Sequence, residues 1–222
     1  MQILKIIAGA IGFLAIGSPA FAAGEQANLI GGTYAGTTGI GESLGFQIHN
    51  GVTVRAQSGA LGLGYNGTAS GIPYRGAYHA VDAAALIDIR PYGGFGKITV
   101  GAVLDNNHIN FDANPSANYV INGTSYSAAQ TGAINGQATW HRIAPYIGTG
   151  FDTTPRTHPG FGFVLDAGAF YQGRPNVTLS TEHKPADPAF TANLEKARQD
   201  FAQRVDRARI YPVISVGTMF RF

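Results

Sequence analysis

Residues 78–90 set two chemistries on opposite faces of one extended segment. At period two, His79, Val81, Ala83, Ala85, Ile87 and Ile89 share one face, and Tyr78, Ala80, Asp82, Ala84, Leu86, Asp88 and Arg90 share the other. In a soluble sheet the ionised face would meet water. In a closed barrel across a bilayer the aliphatic face meets lipid and the charges line the lumen. The surroundings of the chain decide between these, and the rest of the sequence supplies them.

The alternation recurs along the chain. Residues 38–48 carry Ile40, Leu44, Phe46 and Ile48 on one face, with Glu42 as a misfit that a barrel rim would accommodate. After the His49-Asn50-Gly51 turn, Val52, Val54 and Ala56 alternate with Thr53, Arg55 and Gln57; near Ser58-Gly59 the phase slips, which predicts a bulge. Residues 97–105 set Ile98, Val100, Ala102 and Leu104 against Lys97, Thr99 and Asp105. Residues 134–141 put Ile134, Ala138 and Trp140 outward, with Gln137 and His141 inward. Residues 144–151 follow, then 161–172 with Phe161, Phe163 and Leu165 outward and Asp166 inward. The last segment, 210–222, turns Phe220 and Phe222 outward and Arg221 inward. Eight segments of roughly the 9–11 residues that a tilted membrane strand needs predict an all-β, up-and-down antiparallel transmembrane barrel.

Composition agrees with that reading. The chain has no cysteine, so neither disulfides nor thiolate metal sites hold it, and the fold must close on itself. Glycine at 31 residues and charged residues at 13% suit an apolar outer wall around a lumen of small and polar side chains. A formal charge of +2, scattered along the chain, excludes a nucleic-acid surface. Residues 1–22 read as a cleaved signal peptide, with Lys5, an apolar run over 6–16 and Ala20-Phe21-Ala22. Residues 23–222 then form one barrel domain. A transmembrane helix needs about 20 apolar residues, and no later segment supplies them.

One helical pattern interrupts the strands, over residues 187–209. Asp187-Pro188 is a cap followed by proline at the first helical position, and Phe190, Leu194, Ala197, Phe201 and Val205 form a stripe at helical spacing. Arg198, Arg204 and Arg207 lie off that stripe, so the helix is expected to cap the barrel end or lie at the lipid interface. A further small hairpin is expected at Ile121-Asn-Gly-Thr124, within the polar loop 106–130. The topology carries a conflict of parity. Short turns and long loops of membrane barrels segregate to opposite ends, yet this loop and the helix fall on opposite sides, unless an extra strand over 27–36 changes the count.

The predicted lumen gathers Asp82, Asp88, Asp105 and Asp166 with Arg55, Arg90, Lys97 and Arg221, and adds His141. Such charges form a network of ion pairs that fills the interior, or serve as stepping sites for a cationic solute. Enzyme chemistry finds no support. The six histidines show no ligand spacing, His141 has no nucleophile motif near it, and Gly93-Gly94-Phe95-Gly96 lacks the lysine of a phosphate loop. No cofactor or metal is expected. The Asn-x-Thr triplets at Asn66, Asn122 and Asn176 read as polar loop residues.

Several stretches resemble the carbapenem-associated ornithine-uptake porin family. They are Gly36-Thr-Thr-Gly-Ile-Gly41, Leu61-Gly-Leu-Gly-Tyr-Asn-Gly67, Ile87-Asp-Ile-Arg-Pro-Tyr92, Ile143-Ala-Pro-Tyr-Ile-Gly-Thr-Gly-Phe151 and residues 166–179. The terminal strand also resembles the closing strand of Gram-negative outer-membrane barrels, which implies that Phe220 and Phe222 act as a signal to the assembly machinery. The family resemblance implies an eight-stranded outer-membrane barrel that passes small polar solutes such as basic amino acids (ornithine) or glycine. The alternative is a closed barrel that binds lipopolysaccharide or a partner through its loops and helix.

Overall fold

The structure, a computed structural model, describes residues 28–69, 72–91, 94–113, 118–140, 143–185, 187–206 and 208–222. The proposed signal peptide, His141, Arg142 and Arg207 lie outside the described residues, as does the side chain of Arg204. Eight antiparallel strands close a barrel in the order β1 (Leu29–Gly36), β2 (Gly39–His49), β3 (Val52–Ala69), β4 (Ile72–Ile89), β5 (Gly96–Asp105), β10 (Ile143–Asp152), β11 (Gly160–Tyr171) and β13 (Ile210–Arg221). The seam pairs β13 with β1, setting Ile30 opposite Arg221 and Gly36 opposite Ser215.

This corrects the expected staves at two places. The closing strand meets Leu29–Gly36, the extra strand that the sequence allows over 27–36, rather than the segment at 38–48. Ile134–Thr139 (β9) is not a stave at all. It pairs with β6 (His108–Ala113) and β12 (Asn176–Thr181) in an extension that continues from the upper part of β4. Its faces are accordingly reversed: Ile134 and Ala138 are buried, and Asn135 and Gln137 are exposed. One stave was gained and one lost, so the total of eight stands, and the parity conflict disappears. Connections at 37–38 and 70–71 now share an end with the long insertions 106–142 and 172–209. The turns at 50–51, 90–95 and 153–159 share the other end with Phe222.

The alternation in burial is that of a barrel turned inside out. Ile143, Ile147, Phe161 and Phe163 are 66–79% exposed, while Lys97 and Arg221 are each 2% exposed. An outer belt of this kind, carried by every stave but β1, is far larger than the apolar patches of soluble monomers, and hydrocarbon is the surround that suits it. No helix among the described residues is long and apolar enough to cross a membrane. Glu42 is exposed on the outer wall, three residues from the end of β2 at the 37–38 turn, where a rim position suits its charge.

Above the belt, β3 and β4 run on together to Ala69 and Ile72. The predicted bulge at Ser58-Gly59 is absent, because Glu42 faces Ser58 and Gly41 faces Gly59 in unbroken register. The irregularity lies instead between Gln47 and His49, beside the turn where Gly51 takes φ 95°. What changes beyond Ser58 is the polarity of the faces. The inner phase becomes apolar, with Leu61, Leu63 and Tyr65, and the outer phase becomes Gly62, Gly64 and Asn66. The polarity changes without a break in the strand's register.

The inner face of the extension is packed by aromatics on glycine. A Cβ at Gly136 would stand 1.8 Å from the Phe111 ring, and one at Gly76 would stand 2.0 Å from the Tyr65 ring. After the four-residue helix α1 (Ala128–Thr131), the long helix α2 (Pro188–Val205) covers this face, with Phe201 against Phe111 at 5.0 Å and Phe190 against Tyr126 at 5.0 Å. Tyr126 belongs to the hairpin β7 (Tyr119–Ile121) and β8 (Thr124–Tyr126), whose Asn122-Gly123 turn takes the positive φ values that such a turn requires. Asp187 caps the helix by accepting from the Ala189 amide at 2.9 Å. The stripe of Phe190, Leu194 and Phe201 therefore lies on protein, which is the end-cap expectation rather than the lipid-interface one.

Arg198 fastens the helix to the sheet. It donates to the Val177 carbonyl at 3.1 Å and to Glu195 at 2.7 and 2.8 Å. These bonds, with one from Gln199, pull the Glu195 carboxyl from 4.5 down to about 2. A depressed carboxyl adds stability above its unfolded value and loses it as pH falls through the folded one. The Glu195–Arg198 pair, which lies within the helix, should hold above pH 4.5 and loosen between there and about 2. In Arg198→Ala, the NMR titration midpoint of Glu195 should return to near 4.5; a midpoint that stays at about 2 would contradict the assignment.

Candidate functional site: the barrel lumen

The inward phase of each stave delivers its polar side chains to one axis, where they stack in layers. The layer nearest the short turns holds two arginines. Arg90 Nη2 meets Asp152 Oδ2 at 3.2 Å and its Nη1 donates to the Thr154 carbonyl at 3.2 Å. Arg221 donates to Gln47 Oε1 at 2.6 Å and Asn28 Oδ1 at 3.1 Å, so neutral amides solvate its buried charge.

The next layer is a closed quartet. Arg55 Nε lies 2.9 Å from Asp88 Oδ2, and its Nη1 lies 3.1 Å from Asp166 Oδ2. Lys97 Nζ lies 2.7 Å from Asp166 Oδ1 and 3.5 Å from Asp88 Oδ2. The Thr99 hydroxyl adds a bond to Asp88 Oδ1 at 2.7 Å. Each cation touches both carboxylates and each carboxylate touches both cations. Buried ions are tolerable only with such mutual and nearly complete pairing.

An apolar layer separates the quartet from the long-loop end. It packs Leu86, Val103, Ala144, Tyr146, Phe170 and Val213. Glycines make room for its flat ring: a Cβ at either Gly148 or Gly168 would fall 2.5 Å from the Tyr146 hydroxyl. Beyond it, Asp82 and Asp105 face each other across β4 and β5, both buried, with Tyr78 close to both. The Asn107 amide donates to Asp105 at 2.8 Å. No ion pair to Asp82 occurs among the described residues, whereas every charge of the quartet below is paired. One cavity is lined by both Asp82 and Asp166, together with Tyr34, Gln57, Tyr146 and Ser215.

The expected lumen residues are thus brought together, except His141, which lies outside the described residues. They are sorted rather than pooled, since four acids do not meet four bases. Asp152 completes the network and was missed, though it sits in the inward phase of β10 after Tyr146, Gly148 and Gly150. Gln47 and Asn28 were also missed, because nothing in a neutral amide announces a buried arginine. Phe220 and Phe222 cluster with Phe161 on the outer wall, with ring centres 4.7 and 5.2 Å apart in succession. No group of three or more metal-ligating side chains occurs among the described residues.

No protein-family model and no curated protein sequence matches the chain. Solved structures do. The crystal structure of Acinetobacter baumannii CarO2 superposes with a TM-score of 0.58 at 23% identity, covering 89% of this chain and 100% of that one. The crystal structure of A. baumannii CarO gives a TM-score of 0.54 at 24% identity, covering 90% and 100%. At this identity the likeness establishes the fold, that of small barrels of the CarO kind.

Proposed function

We propose that the chain is an outer-membrane, porin-like barrel that gives slow passage to small polar solutes, cationic amino acids such as ornithine foremost, with glycine as a smaller candidate. Its apolar belt lies in the bilayer, the long insertions and α2 face outward, and the short turns with Phe222 face the periplasm. That orientation agrees with the usual segregation of long loops and short turns. The observation that carries the reading is the cavity lined by both Asp82 and Asp166. A solute ammonium entering from the long-loop end meets the Asp82 and Asp105 carboxylates first. It then passes the Tyr146 shelf to reach a carboxylate already shared between two cations. Exchange of one ammonium for another at Asp166 preserves neutrality, so the quartet can open stepwise.

An interior filled by side chains makes this passage slow, as an eight-stranded barrel is only wide enough to be packed. The same filling is what favours the second reading, a closed barrel whose work lies in its outer loops. Vesicles containing the purified protein should take up labelled ornithine faster than empty ones, and glycine to a lesser degree. Equal rates with and without protein would contradict the channel and leave the closed barrel.

A further inference from the structure

The extension sheet has an outer face that the lumen account does not use. Register places His79, His108, Thr139 and Asn176 in one row across four strands. The next row reads Ala77, Asn110, Gln137 and Thr178, and the one above it reads Arg75, Asp112, Asn135 and Ser180. On the β3 side Gly64 continues the second row, and a Cβ there would meet nothing within 4 Å. The result is a flat shelf of amides and hydroxyls, with helix α2 on the opposite side of the sheet.

Three observations say what suits it. First, the shelf is the same face of β4 that carries Val81, Ile87 and Ile89 lower down, so it continues the belt without a step. The stacked rings of His79 and His108, 5.0 Å apart, mark the line where aliphatic side chains give way to polar ones. Whatever covers the shelf is attached to, or stands directly above, the lipid. Second, the shelf is almost neutral, since its one arginine, Arg75, stands opposite its one carboxylate, Asp112. A phosphate-rich surface would call for a cluster of unopposed cations. Third, its groups are poised for hydroxyl partners. Gln137 Nε2 donates to Asn110 Oδ1 at 2.9 Å, which leaves the Gln137 carbonyl oxygen and the Asn110 amine available outward.

We infer that this shelf binds the saccharide part of the outer-leaflet glycolipid, the neutral sugar rings of lipopolysaccharide rather than its phosphates. Sugar hydroxyls act as both donors and acceptors, as the amides of Asn110, Asn135 and Gln137 and the hydroxyl of Thr178 do. Such contacts would seat the barrel at a fixed depth and stiffen the extension that carries α2. The inference takes from the proposed function only the embedding in the membrane, and solute flux does not enter its test.

The test uses the full protein in detergent micelles and core oligosaccharide released from lipopolysaccharide, free of lipid A. Saturation transfer from sugar protons should reach Asn135, Gln137 and Thr178. The double variant Gln137→Ala/Thr178→Ala, both sites exposed, should bind about thirtyfold more weakly, as loss of two hydrogen bonds of roughly 1 kcal/mol each implies. Strand circular dichroism reports whether that variant is folded, and the transfer map on the unaltered protein stands independently of it. Absence of oligosaccharide binding, transfer confined to other surfaces, or unchanged binding in a folded double variant would overturn the inference. So would binding of lipid A alone that salt abolishes, or burial of the shelf by a second copy of the chain.

Discussion

Arg55→Met should lower the stability of the folded barrel by about 3–5 kcal/mol, the usual cost of removing one partner from a buried ionic group. Arg55 is 3% exposed and bridges Asp88 to Asp166. Without it, two carboxylates share one ammonium, that of Lys97, in an interior that water does not freely reach. The double variant Arg55→Met/Asp166→Asn restores the balance, leaving Lys97 with Asp88, and should recover a large part of the loss. Urea unfolding in micelles, followed by circular dichroism for the wild type, Arg55→Met, Asp166→Asn and the double variant, measures the coupling. Additive effects of the two substitutions would mean that the quartet is not a unit.

The second large effect belongs to the outer wall. Ile147 lies mid-strand in β10, opposite Val100 and Ala169, and is 66% exposed. In a water-soluble protein Ile147→Arg would be nearly neutral or mildly helpful. Near a bilayer midplane it should destabilise by about 2–4 kcal/mol. Gln137→Arg provides the contrast, because the same new charge on the polar shelf should change stability by less than about 0.5 kcal/mol. Both are to be measured in lipid vesicles rather than detergent. Equal and small effects would place the belt outside hydrocarbon.

The inward and outward phases were legible residue by residue, since Asp88, Asp166, Arg55 and Lys97 alternate strictly with aliphatics on their strands. Their pairing was not, because it depends on the stagger of β3, β4, β5 and β11 around the barrel. Strand β1 was hard to see for a physical reason. Its Gly32 and Gly36 sit against β13 so closely that a Cβ would fall 2.0 and 2.2 Å from backbone oxygens, and glycines chosen for such contact carry no alternation. Strand β9 misled in the opposite way. Ile134, Gly136 and Ala138 alternate with Asn135, Gln137 and Thr139 whether the apolar side meets lipid or a helix. The two errors cancelled in the number of staves, and the parity conflict was their remaining trace. On β3 the change of phase was visible, but it reflects the strand's emergence from the belt and not a bulge.

On the proposed function, the order of layers, the Asp82 and Asp105 carboxylates, an apolar layer and then a paired quartet, would make charge the discriminating property of what passes. Uptake of ornithine relative to glycine by reconstituted vesicles, compared between the wild type and Asp82→Asn/Asp105→Asn, tests this most directly. The wild type should favour ornithine, and the double variant should lose about tenfold of that preference, equivalent to ~1.4 kcal/mol at the first carboxylates, while its glycine uptake stays unchanged. Vesicles that show the same ornithine preference with the wild type and the double variant, or no uptake beyond that of empty vesicles, would contradict the account.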